Sequence, residues 1–248
     1  TIKTLFVNAS DVVAPGVIQV NPANNFNTSN ATVALNWTAI DTASTTMNCT
    51  VRVNTTETNV SVAALNNTNV SVNVLFAGNG TRYWNVTCTD PSGNINTSAT
   101  RAFTVDQVAP AWSNNISFPA SPVIYNTGNY QFNVTWIDIL TAVENVVIEH
   151  NFTGTLTNVT LANVTNVYNF TTGPLVPGNY TWRQIANDSA GNRNTTFTFQ
   201  YEVVKATPNL NITVLPSDNV TFTNTTNVSC SVNTTQLSVS LFRNGPLV

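Results

Sequence analysis

Tyr83-Trp-Asn-Val-Thr-Cys-Thr-Asp-Pro-Ser-Gly-Asn94 has a counterpart in Asn179-Tyr-Thr-Trp-Arg-Gln-Ile-Ala-Asn-Asp-Ser-Ala-Gly-Asn192, where Trp182 and Asp188-Ser-Ala-Gly-Asn192 stand 98 residues beyond Trp84 and Asp90-Pro-Ser-Gly-Asn94. In the first copy Trp84, Val86 and Cys88 alternate with polar residues. Period-two alternation puts apolar side chains on one face of a strand and polar ones on the other, and the Asp, Gly and Asn that follow are turn formers. The stretch reads as a half-buried strand running into a tight turn, used twice.

Working outward, Asn36-Trp-Thr-Ala-Ile-Asp41 recurs as Asn133-Val-Thr-Trp-Ile-Asp138, offset by 97. Three Pro-bearing junctions frame the copies: Asp11-Val-Val-Ala-Pro15, Asp106-Gln-Val-Ala-Pro110 and Val204-Lys-Ala-Thr-Pro208, with prolines 95 and 98 residues apart. A period near 100 is the size of an immunoglobulin-type sandwich and exceeds solenoid repeats. Between the matches the alternation continues in Val33, Leu35 and Trp37, in Cys49, Val51 and Val53, and in Val70, Val72 and Val74. The second copy offers Tyr130, Phe132, Val134 and Trp136, then Phe197, Phe199, Tyr201 and Val203. No segment has helical periodicity. The expected fold is all-β, tandem immunoglobulin-like antiparallel β-sandwiches. Residues 11–106 and 107–205 form the two complete modules. Residues 206–248 form an incomplete third β domain, and residues 1–10 read as the last strand of a preceding or neighbouring-subunit domain, because Thr4-Leu-Phe-Val-Asn-Ala resembles Ala102-Phe-Thr-Val-Asp106.

Cys49 and Cys88 fall on inward positions of neighbouring strands, and the matching sites of the second copy are Val146 and Ala186. Joint absence is what a bonded pair predicts, so a Cys49–Cys88 disulfide is expected, with an oxidising compartment as its corollary. Cys230 aligns with neither position, and its partner is not readable.

Only 8 % of the 248 residues are charged, about a third of the usual share. Eight basic and eleven acidic residues are scattered singly, giving a net charge of −3. That leaves no basic stripe for a phosphate backbone, so no nucleic-acid partner is expected. No apolar run approaches the roughly 18 residues of a membrane span. Residues 1–10 lack a secretory signal, and the chain opens on Thr1, so it reads as a mature or excised segment.

The composition holds 40 Asn but six Gln and two Lys. The N-linked acceptor triplet Asn-x-Ser/Thr begins at Asn8, Asn27, Asn30, Asn36, Asn48, Asn54, Asn59, Asn66, Asn69, Asn79, Asn85, Asn96 and Asn115. It begins again at Asn133, Asn151, Asn158, Asn163, Asn169, Asn179, Asn187, Asn194, Asn211, Asn219, Asn224, Asn227 and Asn233. Random placement would give roughly nine, and the motif needs nothing else. Alternating strands with Asn and Thr outside produce some triplets automatically, but Asn is a poor strand former and other polar residues would serve as well. Covalent N-linked glycans at some of these sites are therefore expected, supplying the solubility that missing charges do not.

The two quoted closing strands resemble those of the immunoglobulin-like, fibronectin-III-like repeats in large archaeal cell-surface, S-layer and adhesin-like proteins, over residues 11–205. That resemblance implies sandwiches in series, as stalks, surface-layer components or filaments heavily decorated with sugar. The second copy departs by lacking the cysteine pair, and the third segment matches neither copy closely.

Other candidate sites have plainer readings. The turns Asp90/Gly93/Asn94 and Asp188/Gly191/Asn192 carry groups that Ca²⁺ favours, but they read as capped turns, and no metal site is expected. Trp37, Trp84, Trp136 and Trp182 lie on inward faces at repeat-matched positions, as core rather than a sugar platform. His150 reads as a surface or strand-end residue and Gly78-Asn-Gly80 as a hairpin turn. No nucleophile–base pair is visible, so neither an enzyme nor a cofactor is expected.

The function read from these observations is a structural glycosylated extracellular protein, part of a cell-surface filament, stalk or lattice. Self-association is the expected partnership, with head-to-tail polymerisation by β-strand donation as one route. The alternatives are an adhesin or carbohydrate- and cell-binding module, and domains appended to a larger extracellular enzyme. Deleting residues 1–10 separates donation from a simple excerpt of a longer chain: donation predicts monomers in size-exclusion chromatography, an excerpt predicts unchanged size.

Overall fold

The computed structural model describes residues 11–54, 58–207, 210–215 and 227–232; residues 1–10 and most of the third segment lie outside them. The first module contains β1 (Gly16–Asn21), β2 (Phe26–Thr28), β3 (Thr32–Ile40), β4 (Thr46–Val53), β5 (Thr58–Leu65), β6 (Thr68–Leu75), β7 (Gly80–Thr89), β8 (Ile95–Thr97) and β9 (Arg101–Val105). One sheet runs β1-β3-β6 and faces a second, β2-β9-β7-β4-β5, with β8 on β7. Alternation drives the closure: Val33, Leu35 and Trp37 of β3 meet Cys49, Val51 and Val53 of β4 and Trp84, Val86 and Cys88 of β7 in one core. Val70, Val72 and Val74 are half-buried against it, because β6 is a sheet edge.

The second module contains β10 (Ala111–Phe118), β11 (Val123–Ile124), β12 (Tyr130–Ile137), β13 (Val143–His150), β14 (Thr157–Leu161), β15 (Asn163–Val164), β16 (Val167–Thr172), β17 (Gly178–Asp188), β18 (Arg193–Thr195) and β19 (Phe199–Val204). Sheet β10-β12-β16-β15 faces β11-β19-β17-β13-β14, with β18 on β17. Beyond it, β20 (Leu210–Leu215) pairs antiparallel with β21 (Asn227–Val232), which carries Cys230. No helix among the described residues is long and apolar enough to cross a membrane.

The architecture departs from a purely antiparallel pair of sheets in one way per module. β2 runs parallel to β9, and β11 parallel to β19. Pro22 follows β1, and Pro119 and Pro122 follow β10. Proline cannot donate to a ladder, so the first strand leaves one sheet there and its continuation joins the other. Gly78-Asn-Gly80 is likewise no hairpin, since β6 and β7 belong to different sheets. This connection is folded around Arg82, whose guanidinium donates to Gly80 O and Gly78 O at 2.6 and 2.5 Å.

Register places Cys49 of β4 opposite Cys88 of β7. Their Cα atoms are 4.0 Å apart and the sulfurs are bonded. In the second module Val146 of β13 stands opposite Ala186 of β17, so the missing pair is replaced by an apolar contact in the same register.

Three expectations of placement need correction, although Trp37, Trp84, Trp136 and Trp182 do all face inward. Of the tryptophans, only Trp84 and Trp182 occupy matched positions; Trp136 stands where the first copy has Ala39, and Val134 stands where it has Trp37. A two-residue step preserves the face, so the large ring moves along the core while its volume is kept. Trp136 Nε1–H donates to Gln184 Oε1 at 3.0 Å, and Gln184 Nε2 donates to Tyr168 O at 3.0 Å, both deep in the core. Phe197 is 75 % exposed and precedes β19, its ring edge-on to Trp112 at 5.5 Å. His150 ends β13 but is buried, not a surface residue: its ring stacks on Phe152 at 4.6 Å and meets Phe170 at 4.7 Å. Phe152 N–H donates to its Nδ1 at 3.3 Å.

Two outcomes follow from this packing. The disulfide closes a loop of sequence separation 39, worth about 3–4 kcal/mol in the chain-entropy picture; Cys49→Val with Cys88→Ala should lower the urea midpoint of the first sandwich and leave that of the second unchanged. Burial holds the His150 pKa below its ordinary 6.5. The unfolded chain then binds the extra proton as pH falls through that value, so stability should drop below about pH 6.5 and level off below the folded pKa. His150→Phe should flatten that decline in thermal melts from pH 7 to 5.

Candidate functional site

The sequon asparagines are distributed by strand position. Asn59 on β5, Asn69 on β6, Asn115 on β10 and Asn158 on β14 are exposed, and all four strands are sheet edges. Asn36 on β3, Asn85 on β7, Asn133 on β12 and Asn187 on β17 lie on interior strands and are half-buried. Side chains on an interior strand are walled by neighbours on both sides at about 4.8 Å spacing, whereas an edge strand has one side open. Asn48 and Asn179, near the starts of β4 and β17, are exposed, as are Asn30, Asn54 and Asn79 in connections, Asn96 on β8 and Asn169 on β16. The side chains of Asn8, Asn163, Asn211, Asn219, Asn224, Asn227 and Asn233 lie outside the described residues.

Several asparagines have structural work for the amide nitrogen. Asn94 and Asn96 donate Nδ2–H to Asp11 O and Pro15 O at 3.0 and 2.8 Å. Their counterparts Asn192 and Asn194 donate to Asp106 O and Pro110 O, each at 2.8 Å. Asn66 clasps the backbone of Asp41, accepting from its N–H at 2.9 Å and donating to its C=O at 2.7 Å. Asn27 donates to Ser189 Oγ of the second module at 3.0 Å, beside a Ser29 N–H to Ala190 O bond of 3.0 Å. Part of the demand for Asn is therefore structural, because Gln, one methylene longer, and Thr, which has no amide, could not place an amide donor at these reaches. By contrast, Asn59, Asn69, Asn115 and Asn158 donate no amide hydrogen bond.

The Asp-Gly-Asn turns are capped as expected. Asp90 Oδ1 accepts from Asn94 N–H at 2.8 Å, Asp188 Oδ1 from Asn192 N–H at 2.8 Å, and Gly93 and Gly191 take φ of 91° and 92°. Burial acts to raise the Asp90 pKa, but hydrogen bonds from Asn94, Ser92 and Gly93 outweigh it and hold the carboxyl below its ordinary 3.8. What reading by motif missed is that three repeated aspartates converge. Asp11, Asp41 and Asp90 bring carboxylate oxygens within 4.8 Å of one another, and so do Asp106, Asp138 and Asp188. The signal was present, since each repeated motif carries one of the three. Trp37, Trp84, Trp136 and Trp182 are at most 2 % exposed and offer no platform.

No protein-family model matches the chain, and no curated protein matches it in sequence. Solved structures match in shape. A marsupial T cell receptor superposes with a TM-score of 0.51 at 8 % identity, covering 81 % of this chain and 78 % of that one. The fibronectin(III)-like modules of Clostridium thermocellum CbhA give 0.46 at 13 % identity, with 77 % and 95 % covered. A 1.5-MDa bacterial ice-binding adhesin gives 0.46 at 15 % identity, with 83 % and 68 % covered. At these identities the likeness concerns fold alone, and the T cell receptor match supports β-sandwiches of the immunoglobulin kind.

Proposed function

We propose that this chain is a glycosylated stretch of an extracellular surface structure, a filament, stalk or lattice of the sort its archaeal resemblance implies, whose task is mechanical. The observation that carries the reading is the sorting of asparagines: exposed sequons without an amide hydrogen bond stand on the edge strands β5, β6, β10 and β14, while Asn94, Asn96, Asn192 and Asn194 commit their amides to the junctions. Edge strands carry unpaired backbone groups that template aggregation, and proteins usually blunt them with charge. With 8 % charged residues, this chain has few charges for that purpose. A hydrated glycan on β5, β6, β10 or β14 would block lateral pairing and hold the sandwiches in water. The Cys49–Cys88 disulfide and the fold class accord with an extracellular setting.

Glycopeptide analysis of native material tests this. Occupancy should concentrate at Asn59, Asn69, Asn115 and Asn158 and be absent from Asn27, Asn66 and Asn194, whose amides are engaged and half-buried. Negligible added mass would remove the reading's main support.

A further inference from the structure

We propose that Asp11, Asp41 and Asp90 form a divalent-cation site, with Ca²⁺ the best fit, where the junction segment meets the first sandwich. Oxygen ligands surround Ca²⁺ at about 2.3–2.6 Å, so two that share the ion stand at most about 5 Å apart; the three carboxylates meet that limit. Asp41 is 6 % exposed and Asp90 4 %.

The pointer to a ligand is Asp41 Oδ2. It is buried and has no hydrogen-bond partner, and the same holds for Asp11 Oδ2. Each residue's other oxygen is engaged: Asp41 Oδ1 accepts from Ala43 and Ser44 N–H at 2.8 and 2.7 Å, and Asp11 Oδ1 from Val13 N–H at 3.0 Å. Among the described residues, no Lys or Arg forms an ion pair with the three. A buried ionised oxygen without a donor is strongly unfavourable, and facing carboxylates repel. One divalent cation relieves both. The second triad differs, because Asp106 Oδ2 already accepts from the Thr141 hydroxyl at 2.7 Å. Asp11 belongs to the connecting segment, Asp41 follows β3 and Asp90 follows β7, so the ion would pin the connection to the sandwich and make junction stiffness depend on calcium. This site does not depend on the glycan reading.

The test uses the full chain stripped with EDTA and titrated with calcium chloride alone. Calorimetry should show saturable binding with Kd of about 10⁻⁴–10⁻³ M, the range of extracellular modules, and Tm should rise by about 5 °C at roughly ten times Kd. In Asp41→Asn, Oδ1 can still accept both amides and the new NH₂ can donate to the neighbouring carboxylates. That variant should match or exceed the parent's Tm in EDTA and lose at least half of the calcium-dependent rise. A carboxylate of purely structural role predicts the reverse: a lower Tm in EDTA and an intact calcium response. Asp11→Asn, at a half-buried position, should lose the response in the same way and serves if Asp41→Asn does not fold. No heat and no Tm change up to about 10 mM calcium, well above that range, overturns the proposal.

Discussion

Serial sandwiches depend on how the segment between them is held, and here the holding group is the asparagine side-chain amide. A connecting segment outside the sheets has backbone carbonyls with no ladder to join, and a carbonyl left without a donor near a packed surface is costly. Asn192 and Asn194 donate to Asp106 O and Pro110 O, as Asn94 and Asn96 do to Asp11 O and Pro15 O. The donors come from the turn after the long strand and from the short strand β8 or β18, so the same part of each module holds the junction that precedes it. Gln107 N–H to Asn79 Oδ1 at 2.9 Å and Asn27 Nδ2–H to Ser189 Oγ add contacts from the other side.

That arrangement gives asparagine a structural use in a chain poor in charge. The amide is neutral, short and both donor and acceptor, so it serves a backbone carbonyl at a junction and stands in water on an edge strand equally well. Six of the aspartates are instead gathered in two triads. The two triads share a plan and differ in satisfaction: a threonine hydroxyl supplies a donor in the second, while two carboxylate oxygens in the first have none.

Much of the core was legible in advance. Val33, Leu35, Trp37, Cys49, Val51 and Val53 are buried as their alternation requires, because a strand with one wet face admits only one parity. The pairing of Cys49 with Cys88 followed from comparing the copies. Parity misled at Phe197, where the strand has not yet begun; at His150 it pointed inward, in step with Val146 and Ile148, and the surface reading failed because it set that parity aside, Phe152 and Phe170 completing an aromatic nest around the ring. The parallel β2–β9 and β11–β19 pairings were not visible, since a few residues after a proline carry no sign of which sheet they join.

The amino-acid sequence alone determined which side chains face inward, how many modules repeat, and which cysteines pair, since each depends on local period or on offsets between copies. Tertiary structure decided which asparagines are spoken for and which aspartates meet. Asp11, Asp41 and Asp90 lie far apart along the chain and become neighbours only when two sheets close and a connecting segment is laid across their end, a distance that no local pattern encodes.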